Sequence, residues 1–109
     1  MKPEKVEPPC KVTMQYRSGA GKVFELESAG KMLDVHVTPH EDSNSADLWR
    51  VAAHDRRSAG AIVISEVGAT RGEALAKVSR TWVEQTRERN LTSFDWIAVT
   101  STLQAIRAI

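Results

Sequence analysis

From Lys11 to Arg17 the chain alternates, with Val12, Met14 and Tyr16 on one side and Thr13, Gln15 and Arg17 on the other. A period of two is the signature of a strand with one buried face. Ser18-Gly19-Ala20-Gly21 then reads as a turn. A three-residue loop with Gly21 in the left-handed region would pair Tyr16 with Phe24 and Met14 with Leu26. The second strand follows as Lys22–Glu27, and Ala29-Gly30 marks another tight turn. A two-residue turn there opposes Leu26 to Leu33 and Phe24 to Val35, which keeps the apolar side continuous. The third strand is predicted over Met32–Thr38, burying Leu33, Val35 and Val37.

A polar loop, Pro39 to Ala46, separates this hairpin pair from a fourth strand, Leu48–His54, with Trp49, Val51 and Ala53 inward. Asp55 to Gly60 is a turn, and Ala61–Glu66 is a fifth strand, apolar enough on both faces to expect cover on each. The period then changes. Thr70-Arg71-Gly72-Glu73 matches a capping box, and Ala74, Leu75, Val78 and Trp82 form one helical stripe that should end near Asn90. Thr92-Ser93-Phe94-Asp95 opens a second helix, with Leu91 and Trp96 spaced as a hydrophobic staple and Trp96, Val99, Leu103 and Ile106 as its stripe. The predicted fold is α+β: an antiparallel β-meander of about five strands followed by two C-terminal amphipathic helices packed on the sheet. Met14, Leu26, Leu33, Val51 and Trp82 should meet in its interior, with Glu25, Asp34 and His36 pointing away.

Length and composition fit that fold. A chain of 109 residues is one domain, with three of its four prolines inside a flexible tail over residues 1–10 and the domain over 11–109. Fifteen basic residues against 14 acidic ones leave a net charge of +1, so no global field draws the chain to nucleic acid or a membrane. The single cysteine, Cys10, excludes an internal disulfide. No apolar run follows the polar start Met1–Lys5, which predicts neither a signal peptide nor a membrane helix and a cytoplasmic location.

Candidate chemistry is sparse. His36 and His40 have an H-x3-H spacing beside Glu41 and Asp42, but one lies on a strand and the other in a loop, so no metal site is expected. Ser65, Ser79 and Ser101 lack a G-x-S-x-G setting, and Cys10 has no fixed base. Glu25 opposite Asp34, with Glu27 and His36 nearby, is the one carboxylate cluster; a solvated, salt-screened sheet face is the better account of it. The glycines form no phosphate-binding fingerprint, so no cofactor is expected and the chain reads as a non-enzyme. The stretch Gly68–Leu75, G-A-T-R-G-E-A-L, resembles the strand-to-helix junction of HicB-type antitoxins; helix capping accounts for the same residues, and no function is carried over. The order β-β-β-β-β-α-α is similar to that of whirly-like and PUR-like single-strand binders, a likeness of topology alone.

Two surfaces remain. The outer sheet face should carry Val23, Met32, Ala52 and Val63, together with Ala61, and uncovered apolar residues of this kind mark an interaction site. The first expectation is therefore a non-enzymatic interaction module, homodimeric or bound to another protein through the outer sheet face or a helix. The alternative is a single-strand nucleic-acid binder using Arg17, Arg50, His54, Arg56 and Arg57 as a local basic strip, with His36 beside them. Placing Tyr16, Phe24 and Trp49 on the buried face, and Glu25, Glu27 and Asp34 outside, weakens that alternative.

Overall fold

The computed structural model describes residues 10–28, 30–40, 48–55, 62–88 and 94–109. Its elements are β1 (Lys11–Ser18), β2 (Gly21–Ser28), β3 (Lys31–His40), β4 (Leu48–Asp55), β5 (Val63–Gly68), α1 (Arg71–Glu88) and α2 (Trp96–Ala105). The strands form one antiparallel sheet in the order β1-β2-β3-β4-β5, and the expected meander with its two C-terminal helices is what the chain adopts.

The β2–β3 hairpin has the register that its hydrophobic pattern dictates: Leu26 opposes Leu33 and Phe24 opposes Val35. Gly30, at φ 77°, supplies the left-handed residue of the turn. The β1–β2 hairpin does not follow the expected register. Its turn holds two residues, Gly19-Ala20, with Gly19 at φ 59° and Ser18 opposite Gly21. Tyr16 consequently faces Val23, and Met14 faces Glu25. A slip of one residue moves every side chain to the other face, so Met14 and Tyr16 leave the interior for the open side of the sheet. A bulge between Val12 and Met14 then returns Val12 to a position opposite Leu26, where it packs against the core. Gly21 is needed as a strand residue: a Cβ there would strike Thr38 and the carbonyl oxygen of Val37.

Three further boundaries differ from expectation. β3 runs on through Pro39, which pairs with Trp49 near the strand end, where its missing N–H costs little. β5 begins at Val63, and one of its faces is open instead of covered. Ala61, Arg56, Arg57 and Leu91, and the polar loop beyond Glu41, lie outside the described residues. α2 starts later than its Thr92 signal because Asp95 is the better cap, its carboxylate accepting from the Ala98 N–H at 3.1 Å. Thr70 caps α1 as expected, accepting from the Glu73 N–H at 3.0 Å.

Both helices pack on the same side of the sheet. Leu26, Leu33, Val35, Val51 and Ala53 meet Leu75, Val78 and Trp82 of α1 and Trp96, Val99 and Leu103 of α2 in one cluster. Trp82 stands at its centre, edge-on to Phe94 at 5.7 Å and to Trp96 at 5.4 Å between ring centroids. Lys77 Nζ donates to the Val67 carbonyl and Thr81 Oγ1 to Glu66 Oε1, which fasten α1 along β5. Cys10, expected in the tail, is buried in the core, and its carbonyl accepts from Thr102 Oγ1 of α2.

The end of α2 departs from a simple stripe. Ile106 is exposed, and Ala108 takes the core position in its place. The Ala108 N–H donates to the Leu103 carbonyl at 2.8 Å and the Arg107 N–H to the Gln104 carbonyl at 3.0 Å. That pair of bonds is a Schellman motif, and it puts Arg107 at φ 58°, where glycine is the usual occupant. No helix among the described residues is long and apolar enough to cross a membrane.

Candidate interaction surfaces

With both helices on one side, no other element among the described residues packs on the opposite face of the sheet, whose rim is open while Val23 and Asp34 in its middle are buried. Its side chains form lateral rows set by the strand registers. One row reads Met14, Glu25, Asp34, His54 and Val63, and the next reads Tyr16, Val23, His36, Ala52 and Ser65. Apolar groups stand at both ends of the first row: Met14 is 54% exposed and Val63 64%. Tyr16, at the edge of the second, is 48% exposed.

The four residues expected to carry this surface are not equally available. Val63 is open, Met32 and Ala52 are half-buried, and Val23 is only 2% exposed. In-register neighbours on both sides, Tyr16 and His36, flank Val23, which is buried on this face. The slip of β1 supplies Met14 and Tyr16 instead, which the expected register had turned inward. The signal that could have found them is the Gly19-Ala20 pair, since a two-residue turn with its left-handed residue first fits a tight hairpin as well as a three-residue loop does.

Polar groups on the same face are tied to one another. Glu25 opposes Asp34 as expected, and Asp34 opposes His54 across the next ladder. Thr13 Oγ1 donates to Glu25 Oε1 at 3.1 Å. Arg50 donates through Nη1 to Ser65 Oγ at 2.8 Å, and its Nη2 lies 3.2 Å from His40 Nδ1. Because a guanidinium can only donate, Nδ1 is the acceptor in this contact. His36 and His40 lie on one strand four residues apart, about 13 Å at 3.3 Å per residue, too far to share one ion. No group of three His, Cys, Asp or Glu side chains among the described residues is placed to hold a metal. Burial in apolar surroundings pushes the Cys10 thiol up from its ordinary range, which leaves it a poor nucleophile.

The expected basic strip is not brought together by the described residues. Arg50 and His54 lie on the open face, whereas Arg17 sits opposite Lys22 on the helix-bearing side. At that end of the sheet, beyond the reach of the helices' apolar stripes, there is a cavity of about 110 Å³. Phe24, Val37 and Trp49 give it apolar walls, and Lys22, Arg71 and Arg107 give it three cations. The Arg71 guanidinium lies over the Trp49 ring at 5.1 Å from its centroid. Sequence reasoning missed this grouping, because Lys22, Arg71 and Arg107 are far apart along the chain and only the Arg17–Lys22 turn hints at it.

Comparison of the chain with protein-family models, with curated proteins and with solved structures found no match.

Proposed function

We propose that this chain is a non-enzymatic interaction module whose open sheet face binds a second copy of itself. The observation that carries the reading is the one-sided placement of the helices, which leaves Met14, Tyr16 and Val63 in water. Apolar groups on an otherwise unlayered sheet gain from being covered, at about 25 cal/mol per Å² removed from water. A second copy fits better than a partner of one charge sign, because the face holds both signs: Glu25 and Glu27 beside Arg50. A two-fold contact lets such a mixed surface meet itself with opposite charges opposed. A cytoplasmic setting accompanies this reading, since the one cysteine is a buried free thiol.

Sedimentation equilibrium tests it. The native chain should show a concentration-dependent dimer, and Tyr16→Glu combined with Val63→Glu should return it to monomer with unchanged secondary structure. A native chain that stays monomeric at several hundred micromolar, a Kd weaker than about 1 mM, sinks the reading.

One observation favours a second reading, single-strand nucleic-acid binding: Tyr16 stands exposed on the open sheet, where a base could stack. Glu25 and Asp34 on the same face oppose it. Binding of a single-stranded oligonucleotide that falls steeply with added salt would favour this reading over self-association.

A further inference from the structure

We infer that the cavity between β2, Trp49, the start of α1 and the end of α2 binds a small aromatic anion, a flat ring that carries a phosphate or carboxylate group. This site lies on the helix-bearing side of the sheet and does not depend on the sheet-face reading. Its shape is amphipathic. Phe24 and Val37 are buried walls, Trp49 is an aromatic side, and the cationic residues Lys22, Arg71 and Arg107 line the same space. Among the described residues none of these three cations makes an ion pair with a carboxylate. The cavity's 110 Å³ is several times the ~15 Å³ that one water needs and below the ~150 Å³ that encloses a benzene ring, so it takes an anionic head group with its ring partly outside.

Two features of the surroundings favour an anion there. Arg17 stands directly opposite Lys22 in the ladder, and like charges so opposed destabilise a hairpin unless something negative lies between or beside them. Arg107 holds a left-handed backbone, at φ 58°, that glycine would adopt at lower cost. Retaining a strained arginine there is explained by what its guanidinium does in the cavity. Arg71 contributes differently: its stacking on Trp49 holds a planar, two-pronged donor in place, which suits phosphate and carboxylate oxygens.

The test is an amide and indole NMR titration of the full chain with phenyl phosphate, inorganic phosphate and benzyl alcohol. Phenyl phosphate should saturate below about 1 mM and shift the Trp49 indole N–H and the amides of Lys22, Arg71 and Arg107. Inorganic phosphate should shift the same signals at least several-fold more weakly, and benzyl alcohol should leave them in place. Lys22→Gln and Arg71→Gln should each weaken phenyl phosphate about ten-fold, the loss of one charge-assisted hydrogen bond. Arg107→Gly should weaken it too while leaving the fold intact, since glycine suits that backbone. Unchanged affinity in all three folded variants overturns the assignment, as do benzyl alcohol binding equal to phenyl phosphate or shifts confined to other residues. So does a single-stranded oligonucleotide that moves these signals when phenyl phosphate does not, which would make the cations part of a polyanion track.

Discussion

The two faces of this sheet are built from the same alternating strands, yet they have opposite fates. On the helix-bearing face Leu26, Leu33, Val35, Val51 and Ala53 are fully buried under α1 and α2. On the other, Met14, Tyr16 and Val63 stand in water among carboxylates and histidines. The difference teaches that strand periodicity assigns residues to faces without saying which face will be covered. That decision rests with the helices. The stripe of α1 and the Trp96, Val99 and Leu103 side of α2 share one cluster, so neither helix is left to cover the second face.

Substitutions can sharpen this contrast. The largest effect is expected at Trp82→Ala, which removes the ring that Phe94 and Trp96 pack against and should cost about 3–5 kcal/mol in chemical denaturation. Gly21→Ala should cost about 1–3 kcal/mol, although it lies at the end of the open face, because its Cβ meets the β3 backbone at Val37. A loss no greater than that of an ordinary exposed strand glycine would show that the two strands move apart there. Asp95→Ala removes the N-cap of α2 and should cost about 1 kcal/mol. Arg107→Gly should stabilise by about 0.5–1 kcal/mol through relief of the left-handed backbone. The smallest change is expected at Val63→Thr, within about 0.5 kcal/mol for the monomer, so that a larger, concentration-dependent loss would reveal a covered outer face.

Titration adds one check on the buried side. The folded state favours the protonated Cys10 thiol, so its contribution is fully present below the ordinary thiol range. That contribution is lost as pH rises towards the raised value. Thiol alkylation at mildly alkaline pH should therefore be slow in the folded chain and fast in denaturant.

How much of this was legible in the residues varies along the chain. The β2–β3 hairpin was readable because Phe24, Leu26, Leu33 and Val35 all demand one face and only one register satisfies them. β1 was not, because Val12, Met14 and Tyr16 alternate cleanly yet a bulge divides them between faces. Alternation carries no information about a bulge. The cap of α2 was misplaced by three residues because Thr92 and Asp95 are both good caps, and the choice between them belongs to tertiary packing. The cation-lined cavity was the least legible feature: Lys22, Arg71 and Arg107 meet only because the ends of two helices and one strand are brought to a common corner. The open face was anticipated as a surface, though Val23 proved to be its support and Met14 and Tyr16 its accessible part.

The hydrogen bond from Thr102 to the carbonyl of Cys10 joins residues 92 apart in the chain. Each hairpin of the meander can zip on its own from a tight turn, in microseconds by the usual timescale of such events. The core that buries Leu26 and Leu33 is completed by α1 and α2, both of which follow all five strands in the chain. During synthesis the nascent sheet therefore carries its greasiest side uncovered until both helices have emerged behind it, and that interval is when this chain is most exposed to chaperones or to aggregation.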